Sequence, residues 1–180
     1  VAEAVRRERL WFLSLLTIDP RAQSSGAGRA LMEASLGYTA GTDAGLIVSS
    51  NDPRALRLYA RAGFRLLPTI ETKGEVDRRK LRATDGAVRE GSVADLEELE
   101  ELSRDVRGAP HTCDAMFALE QGGVLLRAGD RGFTIAHPEW GVWLLVARDD
   151  QTAAALLWAG LGIGGRAPRG ALHWLTAEQQ

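Results

Sequence analysis

A segment able to hold an anion lies near the start of the chain: Gln23-Ser24-Ser25-Gly26-Ala27-Gly28-Arg29. Gly26 and Gly28 let the backbone turn so that amides from Ser24 to Arg29 point into one concavity. A helix beginning there adds its partial positive charge, and such a nest suits a pyrophosphate. Three uses of the segment compete. A lone G-x-G turn most often holds no ligand. A dinucleotide fold wants a third glycine where Leu31 stands, and an acid closing the next strand where Ser49-Ser50 stand. A Walker phosphate loop wants Gly-Lys-Ser/Thr, and no lysine is near. Tyr59, by periodicity alone, is an amphipathic residue covering a helix face.

The elements that must position these groups alternate. Trp11 to Ile18 is a dense apolar run stopped by Asp19-Pro20, which predicts a buried strand. Ala27, Leu31, Ala34 and Tyr38 then recur as one face of a helix. Leu46-Ile47-Val48 predicts a short strand after the break at Gly41 to Gly45. Asp52 caps and Pro53 opens a second helix, with Leu56, Tyr59, Ala60 and Gly63 as its inner face. Gly63 stands where a helix end tolerates positive φ, and Phe64 to Thr69 is the next strand candidate.

Taken together, the two segments carry a family signal. Asp19 through Leu31 resembles the acetyl-CoA loop of the GNAT N-acetyltransferases, with its Q/R-x-x-G-x-G/A pattern. Asp52-Pro53-Arg54-Ala55-Leu56-Arg57-Leu58-Tyr59-Ala60-Arg61-Ala62-Gly63-Phe64 resembles that family's second signature, N/D-x-x-A-x-x-L-Y-x-x-x-G-F. The resemblance covers roughly residues 9–70. It implies a mixed, largely antiparallel α/β (α+β) sheet flanked by helices, and acetyl-CoA as co-substrate. It also implies that backbone groups of Leu16, Thr17 and Ile18 meet the pantetheine, with an N–H near Leu16 polarising the thioester carbonyl. Gln23 and the amides of Ser24, Ser25, Gly26, Ala27, Gly28 and Arg29 would hold the pyrophosphate. Asp52 would contact the pantetheine arm, and Tyr59 would return a proton to the CoA thiolate. A phenol of reference pKa about 10 suits that task, since it is not ionised at pH 7. For a general base, Phe12 and Ser14 stand where the family sometimes carries a carboxylate. Glu8 is the nearest acid, and a water-mediated base, or none, is equally compatible.

The organisation splits this fold over two partial modules. The charged segment Thr72 to Thr84 marks a boundary between residues 1–80, the back half of a module, and 81–180, the front of a second, degenerate one. Ala87-Val88-Arg89, a helix opened by Ser92 and Asp95 with Val93, Leu96, Leu99, Leu102 and Val106 inside, a hairpin over Val124 to Ile135, a strand over Gly141 to Ala147 and a helix from Ala153 to Gly160 follow the family's order. Leu172 to Leu175 is a last strand. Arg148-Asp149-Asp150 stands where the loop belongs, and two acids would repel a pyrophosphate, so the second copy is expected not to bind CoA. Half-modules leave open apolar edges, hence the expectation of a homodimer. An internal start or truncated product is the accompanying expectation. His111 and Asp114 could serve an acceptor loop, but a plain helix connection is favoured. Cys113 is expected buried, Gly160 to Gly170 a flexible loop, and Trp140 and Trp143 core packing.

Composition narrows the classes. Lys+Arg of 22 against Asp+Glu of 24 argues against a nucleic-acid binder. The single cysteine excludes an intrachain disulfide or a cysteine-type zinc cluster and suits a cytoplasmic protein. The longest apolar run falls short of the roughly 20 residues a membrane helix needs. The reading is an enzyme moving acetyl from acetyl-CoA to a small-molecule or peptide amine by direct attack. The alternative is an inactive GNAT remnant acting as a CoA-binding, sensing or dimerisation module.

Overall fold

Strand alternation begins at the second residue. In the computed structural model, which describes residues 1–67, 70–72, 74–84, 86, 88–164 and 170–172, β1 (Ala2–Arg7) pairs antiparallel with β2 (Leu10–Leu16). The sequence reading began at Leu10 and missed β1, whose half-exposed Ala-Glu-Ala-Val pattern carries little apolar signal. After α1 (Ala27–Leu36), β3 (Ala44–Ile47) returns parallel to β2, giving the order β1-β2-β3. α2 (Pro53–Arg61) follows, and the two helices bury Met32 and Tyr59 in a cluster with Trp11 and Leu13 of β2.

Both helices are turned relative to the predicted faces. In α1 the inner positions include Met32 and Ser35, while Ala34 and Tyr38 face solvent. The buried Trp11 indole explains this, because its Nε1 donates to the Ser35 carbonyl at 3.1 Å. In α2 the cluster takes Ala55, Leu58, Tyr59 and Ala62, and Ala60 is exposed. The C-terminus of α2 is a Schellman motif: Phe64 N donates to Tyr59 O and Gly63 N to Ala60 O, with Gly63 at φ 93°. Phe64 thereby lands 5.9 Å from the Trp11 ring. Phe64 to Leu67 are not a strand; the Schellman turn spends the Phe64 amide on ending the helix.

The chain divides into two compact units, Val1–Pro68 and Thr69–Gln180. In the second, β4 (Ile70–Thr72) and β9 (Gly170–Leu172) form an antiparallel pair. A four-stranded antiparallel sheet runs β5 (Arg89–Glu90), β6 (Val124–Ala128), β7 (Gly132–His137), β8 (Gly141–Ala147). α3 (Leu96–Arg107) and α4 (Thr112–Glu120) cover one face, packing Leu99, Leu102, Ala115 and Ala118 on Phe133 and Ile135. α5 (Asp150–Ile163) covers the other face, where Leu156 and Gly160 meet Gly132, Thr134 and Ala136. The Ser92–Asp95 capping box forms as predicted. Buried Arg127 on β6 ties Asp95 and Glu98 to the sheet. The whole is a mixed α/β fold of largely antiparallel sheets flanked by helices.

Four further expectations are corrected here. Helix α5 continues to Ile163, because Gly160 packs against Val142 instead of opening a loop. Trp140 and Trp143 are exposed: Trp140 stacks on the buried His137, and Trp143 packs at a tilt between Trp140 and Phe117. The cause is a bulge: Ala136 pairs with Val142 but Ile135 with Leu144, so Trp143 is extra on β8 and turns outward. Cys113 is exposed on α4. Val93, expected inside the third helix, is exposed on the 3-10 turn that precedes α3. His111 is buried between α3 and α4, its Nδ1 3.2 Å from Ser103 Oγ. Expectations falling on Pro68-Thr69, Lys73, Ala87, 165–169 and 173–175 lie outside the described residues.

Candidate active site

The site is built where β2 loses one neighbour. The parallel pairing of β2 with β3 runs from Leu10–Ala44 to Leu13–Ile47 and stops. On its other edge β2 stays with β1 as far as Leu16–Ala2, through a bulge that leaves Ser14 unpaired and its hydroxyl donating to Glu3 O. Thr17 N donates to Val1 O and Val1 N to Thr17 O, so Thr17 faces β1. Backbone groups alternate along a strand, so those of Leu16 face the side that β3 has left.

The chain then turns sharply. Asp19 caps a 3-10 turn at Pro20–Ala22, accepting from Arg21 N and from the Arg21 guanidinium. Those bonds hold its carboxyl below the usual range. Ser24 adopts φ 64°, Ser25 Oγ donates to Ala22 O at 2.7 Å, and Gly26 takes φ 92° as the N-cap of α1. No side chain caps α1 and no acid stands in its first turn. Ala30 N is bonded to Gly26 O, so the amides of Ala27, Gly28 and Arg29 lie ahead of the first intrahelical bond. Gly28 has a different role from Gly26: a Cβ there would stand 2.9 Å from Ile18 Cδ1 and 3.6 Å from Leu58 Cδ2. Its missing side chain leaves room for the tip of Ile18 at the end of β2. Ile18, Gly28 and Leu58, the neighbour of Tyr59, therefore meet.

Asp52 caps α2 and also accepts from the Arg54 guanidinium at 2.8 Å, which with the Arg54 backbone bond brings its pKa down to about 2. Arg54 Nη1 continues to Gln23 Oε1 at 2.6 Å, joining the start of α2 to the loop. Tyr59 has its ring in the core, and burial pushes its pKa up, so it stays protonated at neutral pH. Its hydroxyl has no protein partner among the described residues. No buried side-chain oxygen or nitrogen is left unpaired there, which puts that hydroxyl in touch with solvent. Glu8 sits in the β1–β2 turn at φ 47°, the end of β2 opposite Leu16.

Sequence reasoning missed the bulge at Ser14 and the reach of Arg54 to Gln23. The bulge had no local signal. Arg54 had one: Asp19-Pro20-Arg21 and Asp52-Pro53-Arg54 repeat the same tripeptide.

Residues 1–77 match a family model described as an acetyltransferase (GNAT) domain. A protein of Pyrococcus horikoshii assigned as an acetyltransferase has a similar structure, with TM-score 0.63 and 16% identity over 92% of this chain and 57% of its own. A GCN5-related N-acetyltransferase from Kribbella flavida gives TM-score 0.54 and 18% identity over 88% of this chain and 44% of its own. The chain thus spans about half the length of these structures, and at such identities the likeness is one of fold. No curated protein sequence matches it.

Proposed function

We propose that the chain, whose residues 1–77 match a GNAT acetyltransferase family model, takes part in moving an acetyl group from acetyl-CoA to an amine. The observation that carries this reading is the uncapped N-terminus of α1, which follows the strand end that β3 has left after a loop of ten residues. The donor set fits a pyrophosphate and a thioester arm: consecutive free amides, no competing carboxylate in the first turn, and strand groups without a neighbour.

When bound, acetyl-CoA supplies an activated acetyl thioester. The amides of Gly26 to Arg29, with Gln23, Ser24 and Ser25, would hold its pyrophosphate. Leu16 N–H would donate to the acyl carbonyl, with Thr17 and Ile18 completing the strand edge. Asp52 accepts three bonds from Arg54 and keeps acceptor capacity for the pantetheine arm. Tyr59 would hold the proton at Oη that the leaving thiolate needs. The acceptor is a small-molecule or peptide amine. The second unit is read as a degenerate copy, supported by its own bulged hairpin followed by a helix. Two copies pairing as a homodimer would cover the edges of β3 and β8, which are unpaired among the described residues. Among the described residues no helix is long and apolar enough to cross a membrane, and the single cysteine favours the cytoplasm.

Isothermal titration tests this. Acetyl-CoA is expected to bind saturably and NAD not at all. Gly26→Asp places a carboxylate at the α1 terminus and is expected to weaken acetyl-CoA by about tenfold or more, because like charges at a binding site cost several kcal/mol. No saturable binding of acetyl-CoA to the folded wild type overturns the proposal.

A further inference from the structure

Three times among the described residues an Asp-x-Arg turn occurs in which the aspartate caps and the arginine forks back onto it: Asp19–Arg21, Asp52–Arg54 and Asp77–Arg79. Two of these are closed local devices. Among the described residues, Arg21 and Arg79 make side-chain hydrogen bonds only to their own aspartates. Arg54 spends Nε and Nη2 on Asp52 in the same way, then extends Nη1 to Gln23 Oε1, thirty-one residues away. The local turn needs only the Nε–Nη2 edge, so the Nη1 bond is an addition to it.

Gln23 occupies the exit of the 3-10 turn, immediately before the positive-φ residues Ser24 and Gly26. Positive φ at Ser24 is uncommon for a residue with a Cβ and persists only where surrounding contacts impose it. Gln23 is the nearest side chain with a long-range bond, and Arg54 is its partner. The guanidinium is pre-organised for this, its planar fork fixed on Asp52 while the third nitrogen points at the loop.

We infer that Arg54 is a positioning residue for the loop from Gln23 to Gly28, setting the direction of the α1 amides from the start of α2. The inference rests on the acetyl-CoA reading of that loop for its functional consequence, but the tether itself does not.

Two measurements separate them. Amide hydrogen exchange on the ligand-free protein reads the tether: Arg54→Ala is expected to speed exchange at Gln23 and Ala30, the hydrogen-bonded amides that bracket the loop, and Arg54→Lys to do so nearly as much, since an ammonium lacks the planar fork that grips Asp52 with two nitrogens and reaches Gln23 with a third. Gln23→Glu keeps an acceptor for Arg54 and is expected to retain protection, whereas Gln23→Ala is expected to match Arg54→Ala. Arg79→Ala, which breaks the same local turn elsewhere, is expected to leave the loop unchanged. Titration with acetyl-CoA reads the consequence: a rise in Kd of about three- to five-fold for Arg54→Ala, the scale of an exposed ion-pair contact, non-additive with Gln23→Ala. Unchanged loop exchange in Arg54→Ala, or a loop response to Arg79→Ala of equal size, overturns the inference. Faster loop exchange with acetyl-CoA bound equally well by wild type and Arg54→Ala overturns its functional half. A wild type that binds no acetyl-CoA, with the tether confirmed by exchange, overturns the acetyl-CoA reading instead.

Discussion

Each unit of this chain passes from a bulged antiparallel hairpin into a helix, β2 into α1 and β8 into α5, and the two junctions treat the helix N-terminus in opposite ways. After β2 the chain takes a ten-residue detour and enters α1 through Gly26, with no side chain on the free amides. After β8 it enters α5 almost at once through Asp149, whose carboxylate accepts from Thr152 N at 2.8 Å and Thr152 Oγ1 at 2.7 Å. Asp150 adds a second negative charge in the first turn. One terminus carries no side-chain cap; the other is capped from within. The same topology thus yields an open N-terminus or a closed cap according to a single position and the length of chain before it.

Under the proposed function, this contrast assigns the acetyl-transfer chemistry to the first unit. Tyr59→Phe removes one hydroxyl and keeps the ring in its core position, so turnover is expected to fall by roughly 10²–10³, the range for general acid–base groups, with little change in acetyl-CoA affinity. Steady-state kinetics against an amine panel measure it; full activity would leave Tyr59 as packing alone. Next in size is Gly28→Val. Its side chain would push aside the flexible end of half-buried Ile18 and crowd Leu58, so the first unit is expected to lose about 1–2 kcal/mol, the low end for overpacked sites, together with acetyl-CoA affinity under the proposed function. Denaturant unfolding with far-UV and ligand-binding readouts reports both. A Gly28→Val protein with wild-type stability and affinity would break the claim that this loop is shaped by close approach.

The smallest effect belongs to the second unit. Asp149→Ala removes the α5 cap and is expected to cost about 1 kcal/mol, the usual size of an N-cap, without changing turnover. Asp149 is held down to about pH 2, first by its bond from Thr152 N. Its folded pKa lies below its unfolded one, so its contribution is complete above the ordinary carboxylate range and fades as pH falls toward about 2. The stability gap between wild type and Asp149→Ala should therefore narrow between pH 4 and 2. A gap that persists at pH 2 would mean that the carboxylate is not what caps α5.

What could be read without coordinates follows the range of the interactions. The Asp52 cap, Pro53, and the Gly63–Phe64 ending are contacts within a few residues, and each was legible as a motif. The hairpin over β6 and β7 and the capping box at Ser92 were legible for the same reason. The inner faces of α1 and α2 were misjudged because alanines at Ala34 and Ala60 fit either side, and what selects Ser35 is the distant Trp11 indole. Trp143 was misplaced because a bulge shifts strand parity by one residue, and nothing in Gly-Val-Trp-Leu-Leu announces the shift. In the candidate site the loop and Tyr59 were visible as types at a spacing. The Arg54–Gln23 bond was not, since it joins two segments that only the fold brings together.

Trp11 has a consequence for how the molecule can be watched. It is the only tryptophan in residues 1–68, fully buried, bonded through Nε1 and set against Phe64 in the cluster that contains Tyr59. Trp140 and Trp143, at the surface of the other unit, are open to water. An indole shielded from water emits at shorter wavelength and is slow to meet a dissolved quencher, so acrylamide should dim the long-wavelength emission first and leave a blue remnant to which Trp11 contributes. Tracking the blue edge of the spectrum offers a label-free optical signal for events in the first unit.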